Sequence, residues 1–156
     1  IMPSLVGSEM CIRDRLSVIN ANDFSDDDKI QLYEGGLAKT ELEEALDFAP
    51  AWLPSDLIDF YSRFSGAEVG TIEVMPPGPL FDSSNALKEL NKQMVDSCSD
   101  TESFFAIAYL NEDSYIVIQR ESETKFRCGK YDFGEHEWYD GAPFQSFTDW
   151  MYAQKS

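Results

Sequence analysis

The chain's one histidine, His136, stands between Glu135 and Glu137, with Asp132 and Asp140 close by in sequence. Flanking carboxylates favour the imidazolium, so this group could serve as a general acid. A pair drawn from Glu135, Glu137 and Asp140 could also run glycoside hydrolysis, which needs one acid raised by burial opposite an ionised partner. A stretch this rich in charge gives no sign of such burial, and no Ser or Cys sits in a nucleophile motif. An exposed loop histidine is the preferred reading. Cys98 and Cys128 with His136 offer at most three soft ligands and lack the close pairs of a structural zinc site, so both thiols are expected to be packed and inert. Asp26, Asp27 and Asp28 are consecutive, whereas an EF-hand alternates its ligands and closes on a distant glutamate. Neither Gly-x-Gly-x-x-Gly nor the Walker pattern occurs. The expectation is a protein without catalysis, metal or cofactor.

The same residues are better equipped to bind. Twelve Lys plus Arg against twenty-nine Asp plus Glu give a net charge of -17, which repels nucleic acid and anionic lipid and attracts a basic protein through electrostatic steering. Toxin domains such as nucleases are basic partners of that kind; the plainer reading is that the charge keeps the domain soluble. Interface hot spots favour aromatics, so Trp138 and Tyr139, ringed by Asp132, Glu135, Glu137 and Asp140, form the candidate contact, extended by Glu112 and Asp113 at a hairpin tip. For Trp138, core packing is an equal alternative.

These residues need a scaffold. With 43% apolar and 26% charged residues in 156, the chain has the material for one core, since domains run to roughly 100 to 200 residues. No apolar run approaches the roughly 20 residues of a bilayer span. Three cysteines without a C-x-x-C pair fit reduced thiols and, by default, a cytoplasm. Ser25 ahead of Asp26, Asp27 and Asp28 predicts a helix N-cap with acids in the first turn, ended by Gly35 and Gly36. Thr40 and Glu43 read as a capping box for a short helix that Pro50 interrupts. Ser55 caps a third helix with Leu57, Phe60, Tyr61 and Phe64 on one face and Gly66 as a left-handed C-cap. Gly70 to Met75 reads as a strand, and Ser84 caps a helix from Asn85 to about Asp96 with Leu87, Leu90 and Met94 inside. Phe104 to Leu110, Tyr115 to Arg120 and Lys125 to Tyr131 form an antiparallel meander, and Ser146 caps a last helix carrying Phe147, Trp150 and Met151. The expected architecture is α+β, a single domain whose antiparallel sheet of about four to six strands is flanked by N-terminal helices and a C-terminal helix.

Residues 5 to 15, Leu-Val-Gly-Ser-Glu-Met-Cys-Ile-Arg-Asp-Arg, resemble one reading frame of a common transposon-based sequencing adapter and are read as translated adapter DNA. Cys11 then carries no information. Removing residues 1 to 15 takes two acids, Glu9 and Asp14, and two bases, Arg13 and Arg15, so the charge balance is unchanged. After Met10 the next methionine is Met75, which puts the native start at a non-Met codon near Leu16 or Val18, or upstream, where a signal peptide could have stood.

Four features, in order, resemble the SUKH superfamily, or Smi/Knr-type domain, founded on fungal cell-wall assembly regulators. They are Trp52-Leu53-Pro54-Ser55-Asp56-Leu57-Ile58-Asp59-Phe60-Tyr61 running to Ser65-Gly66-Ala67; the Pro-rich segment with its following Leu-rich helix; Phe104-Phe105-Ala106-Ile107-Ala108 leading into Ser114-Tyr115-Ile116-Val117-Ile118; and Phe144-Gln145-Ser146-Phe147-Thr148-Asp149-Trp150. Leu53, Pro54, Phe60, Gly66, Phe147 and Trp150 are the structural positions of these motifs. The family often has Asn-Gly where this chain has Ser65-Gly66. The resemblance, over roughly residues 40 to 153, implies a SUKH-like α+β domain at 16–156 without known catalysis. It implies a bacterial immunity protein that neutralises a toxin domain or, alternatively, a regulatory or scaffold domain binding endogenous partners. Long disordered arms, usual in the fungal regulators, are missing here, which favours the compact bacterial form.

Overall fold

The computed structural model describes residues 19–78, 85–139 and 141–155; the adapter-like segment 1–15, Ser84 and Asp140 lie outside them. The described elements share one core and make an α+β fold. One antiparallel sheet holds β1 (Ile30–Glu34), β2 (Phe64–Val69) and β3 (Ile72–Val74) in that order, and a second is the expected meander of β4 (Phe104–Asn111), β5 (Ser114–Arg120) and β6 (Phe126–Asp132), with a two-residue β7 (Glu137–Trp138) beside β6. The sheets meet just past β3, where the Met75 N–H donates to the Ile107 carbonyl at 2.9 Å. Among the described residues four α-helices accompany the sheets: α1 (Lys39–Ala45), α2 (Ser55–Arg63), α3 (Ala86–Ser97) and α4 (Phe147–Ala153).

Ser25 does not begin a helix. Asp26–Asp28 is one 3-10 turn, in which the Asp28 carboxylate accepts from the Ser25 N–H at 2.8 Å, and Lys29 leaves it with φ of 58°. The next five residues are β1, with Ile30 buried, Leu32 half-buried and Gln31 and Glu34 exposed, paired to β2 from Val69 back to Phe64. A helix this short is marginal by propensity alone, so the ladder offered by a distant strand decides the outcome. Likewise the Thr40 capping box does not form, because α1 starts at Lys39 from Ala38, which makes no side-chain cap bond. Ser55 is the first residue of α2 rather than its cap, the N-cap being Pro54.

Gly66 is not a C-cap. The chain passes from α2 into β2 at Phe64, and Gly66 sits within that strand. A β carbon there would lie 2.6 Å from the Val74 carbonyl oxygen, so the requirement for glycine is the close approach of β3 rather than a left-handed turn. The cap of α3 is Asn85, whose side chain accepts from the Lys88 N–H at 3.1 Å, one residue beyond the expected Ser84. Ser146 caps α4 as expected, accepting from the Asp149 N–H at 3.0 Å.

The core gathers the helix faces against both sheets. Phe60 is fully buried, its ring 5.1 Å from that of Phe147 and 5.4 Å from those of Tyr61 and Phe64. Phe147 and Trp150 are buried, while Leu53 and Pro54 are half-buried at the start of α2. The Tyr61 hydroxyl donates to the Met75 carbonyl at 2.7 Å. Two buried polar clamps tie elements together. An Asp56 oxygen accepts from the Thr148 N–H at 3.0 Å and from its hydroxyl at 2.9 Å, joining α2 to α4. Asn91 accepts from the Ala106 N–H at 2.7 Å and donates to the Ala106 carbonyl at 2.9 Å, joining α3 to β4. Each satisfies buried backbone groups that would otherwise cost about 1–3 kcal/mol.

Candidate functional site

The β4–β5 hairpin turns at Glu112 and Asp113, both exposed. Antiparallel pairing sets Ser114 opposite Asp132, so the end of β6 arrives beside this tip. There the Phe133 N–H donates to the Asp113 carbonyl at 2.8 Å. The Asp132 carboxylate closes the following turn, accepting from the Gly134 N–H at 2.8 Å and more weakly from the Glu135 N–H at 3.3 Å. His136 takes φ of 56°, which aims the chain back so that β7 pairs Trp138 with Tyr131 and Glu137 with Asp132. A β carbon on Gly134 would lie 3.1 Å from an oxygen of Asp113 and 3.1 Å from one of Asp132, so these carboxylates flank the same glycine. Two hairpin ends separated in sequence thus converge, and Glu112, Asp113, Asp132, Glu135 and Glu137 share one end of the four-stranded sheet. Asp140 lies outside the described residues.

An aromatic cluster supports this end. Phe133 and Tyr131 are buried, and the Trp138 ring lies 5.0 Å from that of Tyr131 and 6.4 Å from that of Phe104. Trp138 is half-buried, so it packs on the core with one part and keeps another open. Tyr139 is also half-buried; its hydroxyl is 2.7 Å from the Ser114 hydroxyl, and the Lys130 ammonium lies 4.5 Å over its ring. Burial, then the charges of Asp100 and Asp132, raise the Tyr131 hydroxyl above its ordinary value. Asp100 and Lys130 therefore belong to this neighbourhood and were missed by sequence reasoning: Asp100 lies ahead of β4, far from the loop in sequence, and Lys130 reads as an ordinary exposed strand residue.

The candidates for catalysis are dispersed or wet. Glu135, His136 and Glu137 are exposed, which removes the burial that an acid–base carboxylate pair requires. Among the described residues no group of three His, Cys, Asp or Glu side chains is placed to hold a metal ion, so Cys98, Cys128 and His136 are not brought together. Burial, with the nearby Asp113 charge, holds the Cys98 thiol up, and complete burial with the Asp56 charge pushes Cys128 well above its usual range. Raised thiols are poor nucleophiles at neutral pH. Among the described residues the one buried acid, Asp56, is occupied with the Thr148 backbone and side chain. Compared with protein-family models, curated proteins and solved structures, the chain matches none.

Proposed function

We propose that this domain is a non-enzymatic, acidic protein-binding module of SUKH-like type, an immunity protein that neutralises a basic bacterial toxin domain by direct binding. The observation that carries the reading is the convergence of two hairpin ends into one acidic surface around Trp138 and Tyr139. Its anions, on a chain of net charge -17, attract a cationic surface from a distance, and the half-buried aromatics offer rigid contact area at low entropic cost. The Asp132 carboxylate spends its hydrogen bonds on the turn, so it shapes the surface while Glu112, Asp113, Glu135 and Glu137 are left to meet a partner.

The test is to establish whether a gene beside this one encodes a C-terminal toxin domain and to co-express that domain with this chain, followed by pull-down. Retention of that domain by the wild-type chain, and its loss in the variant Trp138→Ala with Glu135→Gln and Glu137→Gln, is the expected result. Retention undiminished by those changes, or rescue of the host without complex formation, would remove this surface from the mechanism.

A further inference from the structure

A β-sheet edge exposes unpaired N–H and C=O groups, and folded proteins usually cover or blunt it. This fold does so at three of the four edges among its described elements. Past β3 the Met75 N–H reaches the Ile107 carbonyl of β4. The side chain of Asn91 takes both backbone groups of Ala106 on the free side of β4. On the other side of that sheet β7 is only two residues long, and nearer the start of β6, Cys128 and Phe144 exchange backbone hydrogen bonds of 2.8 and 2.7 Å.

The edge of β1 is different. The Gly70 N–H donates to the Lys29 carbonyl at 2.9 Å, and the register continues as Ile30 opposite Val69 and Gln31 opposite Glu68. Hydrogen-bonding direction alternates along an antiparallel strand, so Gln31 and Tyr33 turn their backbone groups toward β2 while Ile30 and Leu32 turn theirs outward. Among the described residues no strand, loop or side chain bonds those outward groups. We propose that the free edge of β1 accepts an extended basic segment of a partner protein as a fourth strand of this sheet.

The side chains around the edge select that occupant. On the outer face Glu68 stands directly across from Gln31, and Glu73 directly across from Glu68, all exposed, with exposed Glu34 at the strand end. Like charges facing each other across strands are unfavourable, so a cation reaching over β1 relieves them. Tyr33 shares that face, its ring edge 3.5 Å from where a Gly66 β carbon would lie, and offers an aromatic surface to the same cation. The opposite face carries Ile30 and Leu32 toward the core. An added strand would therefore alternate basic residues over Gln31 and Tyr33 with apolar residues beside Leu32. A second copy of this chain is disfavoured, because pairing β1 with itself brings two acidic faces together. The edge is a separate surface from the acidic end of the other sheet, and the proposal does not rest on the reading given to that end.

The experiment uses the full chain with a short synthetic peptide of alternating Lys and Val, and a Glu–Val peptide of the same length as control. Amide hydrogen exchange is followed residue by residue by NMR. Saturating Lys–Val peptide should slow exchange at Ile30 and Leu32 by about tenfold or more. Glu68→Gln with Glu73→Gln, two exposed changes that leave the core untouched, should weaken the peptide's binding by about tenfold. The proposal is overturned by unchanged exchange at Ile30 and Leu32, or by effects confined to Glu112, Asp113 and residues 132–139. Equal protection by the Glu–Val peptide, or protection that follows protein concentration without peptide, overturns it too.

Discussion

Asp56 shows how a single residue couples local chemistry to the fold. Desolvation raises its pKa, opposed by hydrogen bonds from Thr148 and from the backbone of Leu57 and of Asp56 itself. With the folded value above the unfolded one, the native state keeps a proton that the unfolded chain has released. The associated stability is present below the unfolded carboxylate range and is lost as pH rises through the folded value. Asp56→Asn keeps an acceptor for the Thr148 N–H and cannot ionise, so its stability relative to wild type should improve as pH rises from about 4 to about 7, read by urea denaturation. Asp56→Ala orphans buried donors and should cost about 1–3 kcal/mol at any pH in that window. Gly66→Ala, pressing a methyl toward the Val74 carbonyl, should lower the unfolding free energy by about 1–3 kcal/mol, read as a lower urea midpoint with the slope unchanged. Neither role was legible in the sequence: Thr148 is 92 residues from Asp56, and a glycine after a helix reads as a cap until the strand that crowds it is known.

At the scale of elements, legibility followed the strength of the local pattern. The meander from Phe104 to Asp132 and the helices at Ser55, Ala86 and Phe147 were visible because their alternation or helical stripe is long enough to exclude other folds. β1 and β2 were not. Five residues of β1 sit behind three aspartates that mimic a first helical turn, and β2 follows α2 without a break, so only their mutual pairing identifies them. The acidic end was legible in part: Asp132 to Tyr139 is contiguous, but the arrival of Glu112 and Asp113 beside it depends on the β5–β6 register. Asn91 provides the element-scale prediction. It seals the edge of β4 from α3, so Asn91→Ala should cost about 1–3 kcal/mol and speed hydrogen exchange at the Ala106 amide well beyond its effect on β5. Equal acceleration throughout the sheet would mean that Asn91 acts on global stability without sealing that edge.

For the whole molecule, charge is the property that bears on the proposed binding. The net charge of -17 is spread beyond the acidic end, since α1 also exposes Glu41, Glu43 and Glu44. On the proposed function, the spread charge gives only a weak, unoriented background attraction, and the field that orients a basic partner during encounter comes from the converged hairpin ends. Charges and aromatics at those ends separate kinetically, because rim charges act mainly on association and buried aromatics on dissociation. The most direct measurement is the stopped-flow association rate with a basic toxin domain that the pull-down retains, across a range of salt, for wild type and two variants of equal charge loss. One neutralises Glu112, Glu135 and Glu137; the other neutralises Glu41, Glu43 and Glu44. The sheet-end variant should associate about tenfold or more slowly at low salt with a flattened salt dependence, and the α1 variant should change by less than about threefold. Equal losses in the two variants, or an association rate indifferent to the sheet-end charges, would contradict the assignment of this surface to partner capture.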